Sequence, residues 1–105
     1  MDPKTAYERR DQVRFLDVRE PDEWQVGHIE GAMHIPMGEL NARIDELAGD
    51  HEFVAVCRSG NRSGAVTDAM KRAGFEVENL EGGMQAWARE GLPYVADDGG
   101  DPRVA

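Results

Sequence analysis

Cys57 is the chain's only cysteine, and it stands in the stretch FVAVCRSGNRSG, residues 53 to 64. An apolar, β-branched run precedes it; small and cationic residues follow. Thiol chemistry runs through the thiolate, so what matters is whether the neighbours favour negative charge on sulfur. Gly60 reaches backbone angles closed to other residues, and Ser59, Asn61 and Ser63 are small or turn-tolerant. Such a loop can curl so that successive N–H groups face inward as an anion-binding nest. It runs into a helix expected to start near Ser63, whose positive end adds to the same field. Arg58 and Arg62 contribute full positive charges. The span describes an activated sulfur in a cradle for anions, open to solvent. Taken alone, a free cysteine is equally well a small buried apolar residue; the glycine, the arginines and the strand-to-helix setting favour chemistry.

The elements that would position this loop follow from pattern. VRFLDV (residues 13 to 18) reads as a strand bounded by charge. PDEWQVGHI follows as a short helix, with Pro21 suited to its first turn and Gly27 to its end. AMHIP is a short extended piece closed by Pro36. Met37, Leu40, Ile44 and Leu47 recur at helical spacing, with Gly49 as the stop. FVAV (53 to 56) has the continuous apolar character of a strand covered on both faces. Ala65, Val66, Ala69, Met70 and Ala73 then mark one face of a helix that Gly74 ends. FEVENL offers another strand and GGMQAWAREG a last short helix with Met84, Trp87 and Ala88 on one side. Alternation of this kind predicts a small α/β domain with a mainly parallel sheet. Ligands of such sheets sit beyond the carboxyl ends of the strands, and Cys57 is the first residue past one of them.

Three stretches together, FLDVREPDEWQVGHIEGAMHIP, VAVCRSGNRSGAVTDAMKRAGF and LEGGMQAWAREGLP, resemble a single rhodanese domain, the family of thiosulfate and persulfide sulfurtransferases. The resemblance runs from about Val13 to Pro93, with the elements in the family's order. It implies a parallel sheet of about five strands flanked by helices, and a catalytic cysteine at the base of a short loop, here Cys57 to Arg62. It also implies that Cys57 takes the outer sulfur of a donor such as thiosulfate, releases sulfite and passes the sulfur to cyanide or another thiol. Arg58, Ser59, Gly60, Asn61, Arg62 and Ser63 would bind the anionic substrate and stabilise the persulfide through backbone N–H groups. Arg58 would face the pocket mouth; Arg62 would do the same or turn back to brace the loop against an acid.

Cysteine phosphatases and arsenate reductases use similar cradles, but five residues separate cysteine from arginine there. Only Arg58, Ser59, Gly60 and Asn61 stand between Cys57 and Arg62, a tighter ring better sized for a sulfane sulfur than for phosphate. A second alternative is a rhodanese fold used as a carrier or a non-catalytic binding module for a partner protein. Asp17 and Arg19 look like an acid and a base, yet the resemblance casts them as structural supports of the strand end, and His28 as a link between loops. His34 and His51 have no partner at zinc-ligand spacing, so no metal site is expected. Trp24 and Trp87 are read as core or loop cover. Gly82 and Gly83 are read as the start of the last helix, near the pocket wall.

Composition bounds the rest. A chain of 105 residues makes one domain; we divide it into residues 1–96, the folded body, and 97–105, a polar and flexible tail. The formal charge of −9, from 21 acidic and 12 basic residues, argues against nucleic acid as a partner. Ten of the basic residues are arginines, a bias that fits a saline interior or a GC-rich genome equally. No apolar run is long enough for a membrane helix. One cysteine and no apolar leader suggest a cytoplasmic protein. A lone thiol cannot resolve an internal disulfide, so any relay passes to an external thiol, either a small molecule or a partner protein. No cofactor is implied.

Overall fold

The computed structural model describes residues 1–105. Helix α1 (Pro3–Glu8) is capped by Asp2, whose carboxylate accepts from the Thr5 amide at 2.8 Å, with proline in its first turn. Strand β1 (Arg14–Asp17) leads to α2 (Pro21–Val26), which starts in a capping box between Glu20 and Glu23 and closes at Gly27. Strand β2 is Met33–His34, β3 is Glu52–Val56, α3 is Asn61–Arg72, β4 is Glu76–Asn79 and α4 is Gly83–Arg89. The strands form one parallel sheet in the order β2-β1-β3-β4. No helix is long and apolar enough to cross a membrane.

Strand alternation decides what faces what. Leu16, Phe53, Ala55 and Val77 point to the side covered by α3, where they join Val66 and Met70. Phe15, Val54 and Val56 point to the opposite side, against Ala6 of α1 and Met84 and Trp87 of α4. Trp87 meets Tyr7 and Phe15 edge to face, with centroids 5.9 and 5.7 Å apart, geometry that the ring quadrupoles favour. Cys57 shares the parity of Phe53 and Ala55, so its side chain falls on the α3 side.

Several expectations change. The sheet has four strands where about five were expected; the only further pairing is an antiparallel bridge between His28 and Val95. Residues 37–47 are not one helix but two 3₁₀ turns, Met37–Glu39 and Ile44–Leu47. Gly38 and Asn41 weaken helix propensity between the apolar positions, and Met37 is exposed while Leu40 and Leu47 are buried. Helix α3 begins at Asn61, and its buried face is Ser63, Val66, Thr67 and Met70. Ala65, Ala69 and Ala73 face solvent; methyl-sized side chains carry too little apolar surface to fix a helix's orientation. In residues 97–105, the Asp97 amide donates to Gln25 O and the Arg103 amide to Val26 O, at 2.9 and 2.8 Å, contacts that leave the division at residue 96 as an expectation.

Candidate active site

The loop after β3 is shaped from outside by α4. Gly82 and Gly83 take φ of 74° and 58°, a region open chiefly to glycine. A Cβ on Gly83 would lie 2.4 Å from Cys57 O, so only glycine lets α4 start this close. Its first amides then donate outward-facing bonds, Met84 N to Cys57 O at 2.8 Å and Gln85 N to Arg58 O at 3.0 Å. A trans peptide sets its N–H opposite its carbonyl. With both carbonyls turned to α4, the Arg58 and Ser59 N–H groups face away from it, into the loop.

Cys57 Sγ is the focus of that loop. It accepts from the Gly60 amide at 3.0 Å and lies 3.2 Å from Ser63 Oγ. Gly60 holds φ at 102° and serves as the N-cap of α3, which turns the chain abruptly enough for its own N–H to reach the sulfur. Burial pushes the Cys57 thiol up, but the Ser63 hydroxyl and the amides of Ser63, Gly60 and Ser59 together outweigh it. The net direction is downward, towards thiolate. The cradle is present; the expected opening is not. Cys57 is 1% exposed and packs within the apolar cluster under α3, while Arg58 and Ser59 above it are exposed.

Arg62 turns away from the sulfur. Its guanidinium makes a two-pronged bond to Glu23 of α2, at 2.8 and 2.7 Å. That bond holds the Glu23 carboxyl below its ordinary range against the effect of burial. Arg58 stays on the exterior, where Nε donates to Ala105 O at 2.8 Å. The Gln85 amide, turned with its oxygen towards Arg58, accepts from the same guanidinium at 3.3 and 3.2 Å. Asn61 is exposed in the first turn of α3.

The supporting residues lie one layer further out. Asp17 and Arg19 form a fully buried pair, with Arg19 Nε to Asp17 Oδ1 at 2.9 Å and Nη2 to Oδ2 at 2.7 Å. Arg19 also donates to Gly27 O at 2.7 Å, tying the end of β1 to the end of α2. A buried ion pair is tolerated only when its hydrogen bonds are met this completely. His28 Nδ1 lies 2.8 Å from Trp24 O, and the His28 ring stacks on the Trp24 indole at 3.6 Å. His34 stacks on the same indole at 4.7 Å and reaches Arg19 O. His51 packs edge-on against Phe53.

One site residue escaped the sequence reading. Asn79, the last residue of β4, bonds both Ser63 and Gly60 O. Only its place at a strand's carboxyl end, paired with Ala55 two residues before the cysteine, could have marked it. A cavity of about 790 Å³ among Tyr7, Phe15, Trp87 and Tyr94 lies on the other face of the sheet from Cys57.

Fold and site together define a class: parallel α/β domains that present a lone cysteine in an amide cradle past the carboxyl end of a central strand. Within that class the chain is a member of the rhodanese-like domain family, whose model matches residues 2–90. A protein of Allochromatium vinosum named as a sulfurtransferase is 40% identical over 90 residues, covering 85% of this chain and 84% of that one. The crystal structure of a rhodanese-related protein from Thermoplasma volcanium superposes with a TM-score of 0.88 at 35% identity, over 90% of this chain and 95% of the other. The domain also occurs inside larger proteins. A transcriptional regulator of Mycobacterium tuberculosis is 45% identical over 85 residues, 78% of this chain and 37% of its own length.

Proposed function

We propose that the chain is a sulfurtransferase that carries sulfane sulfur as a persulfide on Cys57. The observation that supports this most directly is the convergence of the Gly60 amide and the Ser63 hydroxyl on Sγ. The thiolate attacks the outer sulfur of thiosulfate or of another persulfide or polysulfide. The donor's sulfur–sulfur bond breaks and its electron pair leaves with sulfite, or with the donor thiolate. A cyanide ion or an external thiolate then attacks the outer sulfur of the persulfide and regenerates Cys57 as thiolate. No proton need move in the attack itself, so no acid–base residue and no cofactor is invoked.

Backbone N–H groups from Arg58 to Ser63 would hold the charge on the terminal sulfur, and Arg58 would draw the anionic donor to the loop. Because the resting sulfur is covered, donor access requires the exposed Arg58–Ser59 edge to open. Arg62, Asp17, Arg19 and His28 act by holding the loop and the strand ends in place. A lone cysteine that must stand as a free thiol between cycles suits a reducing interior, so we assign the protein to the cytoplasm. A small-molecule thiol or a partner protein would serve as acceptor.

Intact-mass measurement after incubation with thiosulfate tests the reading. The native chain is expected to gain one sulfur atom, and to lose it on addition of cyanide or a thiol; Cys57→Ser should gain none. Equal loading of both chains would overturn the assignment of the nucleophile. No loading of either, from thiosulfate or from glutathione persulfide, would favour a non-catalytic binding module.

A further inference from the structure

The contacts of Ser63 demand more protons than it has. Asn79 Nδ2 lies 3.0 Å from Gly60 O, a carbonyl that can only accept, so the amide's orientation is fixed and Oδ1 faces Ser63. Oδ1 also only accepts, and it lies 2.5 Å from Ser63 Oγ. At that separation the one hydroxyl proton must lie between the two oxygens. The same hydroxyl lies 3.2 Å from Cys57 Sγ. While Cys57 is a thiol the three groups are satisfied in series: S–H donates to Oγ, and O–H donates to Oδ1. When the thiol proton leaves to solvent, sulfur becomes an acceptor and competes for the Ser63 proton. If Ser63 turns to sulfur, two oxygens face each other across 2.5 Å with nothing between them.

We propose that Asn79 is a positioning residue that holds the single Ser63 proton away from the resting sulfur and yields it only at the cost of its own hydrogen bond. Asn79 thereby makes the free thiolate less favourable than it would be without that competing acceptor, while the persulfide, whose charge has moved one atom outward, no longer needs Ser63. It favours attack on a sulfur donor over a persistent bare thiolate. The meaning for turnover rests on the sulfurtransferase reading; the sharing of the proton does not.

The test is the pH dependence of Cys57 alkylation by iodoacetamide, followed by intact mass, in the native chain and in Asn79→Ala, Asn79→Val, Ser63→Ala and the Ser63→Ala/Asn79→Ala double variant. Removing the competing acceptor should move the alkylation midpoint to lower pH in both single Asn79 variants. Alkylation on the acid side should then quicken about threefold to tenfold, the equivalent of one ordinary hydrogen bond. In the Ser63→Ala background the Asn79 change should have no effect on the midpoint. An unchanged or raised midpoint in both Asn79 variants would overturn the proposal. So would an equal shift with Ser63 absent, since a merely structural role for Asn79 would act without the hydroxyl. Sulfur loading is scored separately. A native chain that titrates as expected yet takes no sulfur upholds the proton sharing and overturns the transfer reading.

Discussion

Arg62 is where charge and position part company. Five residues from the cysteine it would look like a substrate clamp, yet its guanidinium is spent on Glu23, 39 positions away. Nothing local in the chain names that partner, because the contact exists only once α2 and α3 have packed. The Glu23 carboxyl is held below its usual value of 4.5, chiefly by the Arg62 bond and against burial. A carboxyl depressed in the folded state stabilises fully above its unfolded value and loses that contribution as pH falls through the folded one. Glu23→Gln should therefore lower stability at neutral pH by about 1 kcal/mol or less, since the Arg62 side chain is 36% exposed and water screens the pair. The gap between native and variant should close at pH values well below 4.5. Urea unfolding at neutral and strongly acid pH checks both statements; a gap that persists in acid would mean the pair contributes through packing instead.

Between elements, the decisive approach is that of α4 to the cysteine loop. Gly83 and Gly91 both hold positive φ, but a Cβ would strike Cys57 O at 2.4 Å in one case and meet nothing within 4 Å in the other. Gly91→Ala should cost about 1–2 kcal/mol, the penalty of the left-handed backbone alone, and leave alkylation of Cys57 unchanged. Gly83→Ala should cost more, about 3 kcal/mol, because the strain adds to lost loop bonds. It should also slow alkylation near neutral pH, as the peptide units that aim N–H groups at sulfur lose their anchor. Equal thiol reactivity in the two variants would show that α4 does not shape the cradle. Much of this arrangement was legible: the glycine pair, the apolar run of β3 and the cysteine past its end all reflect local rules. The broken helix of residues 37–47 was not, because four apolar positions at helical spacing say nothing about the Gly38 and Asn41 between them. Nor was the buried face of α3, where Ser63 and Thr67 sit inward and three alanines face out.

Over the whole molecule the formal charge of −9 sets the approach of ligands. A dianionic donor such as thiosulfate is repelled at long range, and salt weakens that repulsion. The second-order rate of sulfur loading from thiosulfate should rise as neutral salt is added from low to physiological ionic strength. A fall would mean that the local positive field near Arg58 governs the encounter. The sheet order β2-β1-β3-β4 leaves two margins with distinct fates. One is β2, only two residues long; the other is β4, whose outward positions carry Glu76 and Glu78. Neither offers a long, flat, uncharged ribbon of free amides and carbonyls to a neighbouring chain. Crowded copies thus have little template for zipping strand to strand into fibrils, and the carboxylates on the β4 margin act as gatekeepers for as long as they stay ionised.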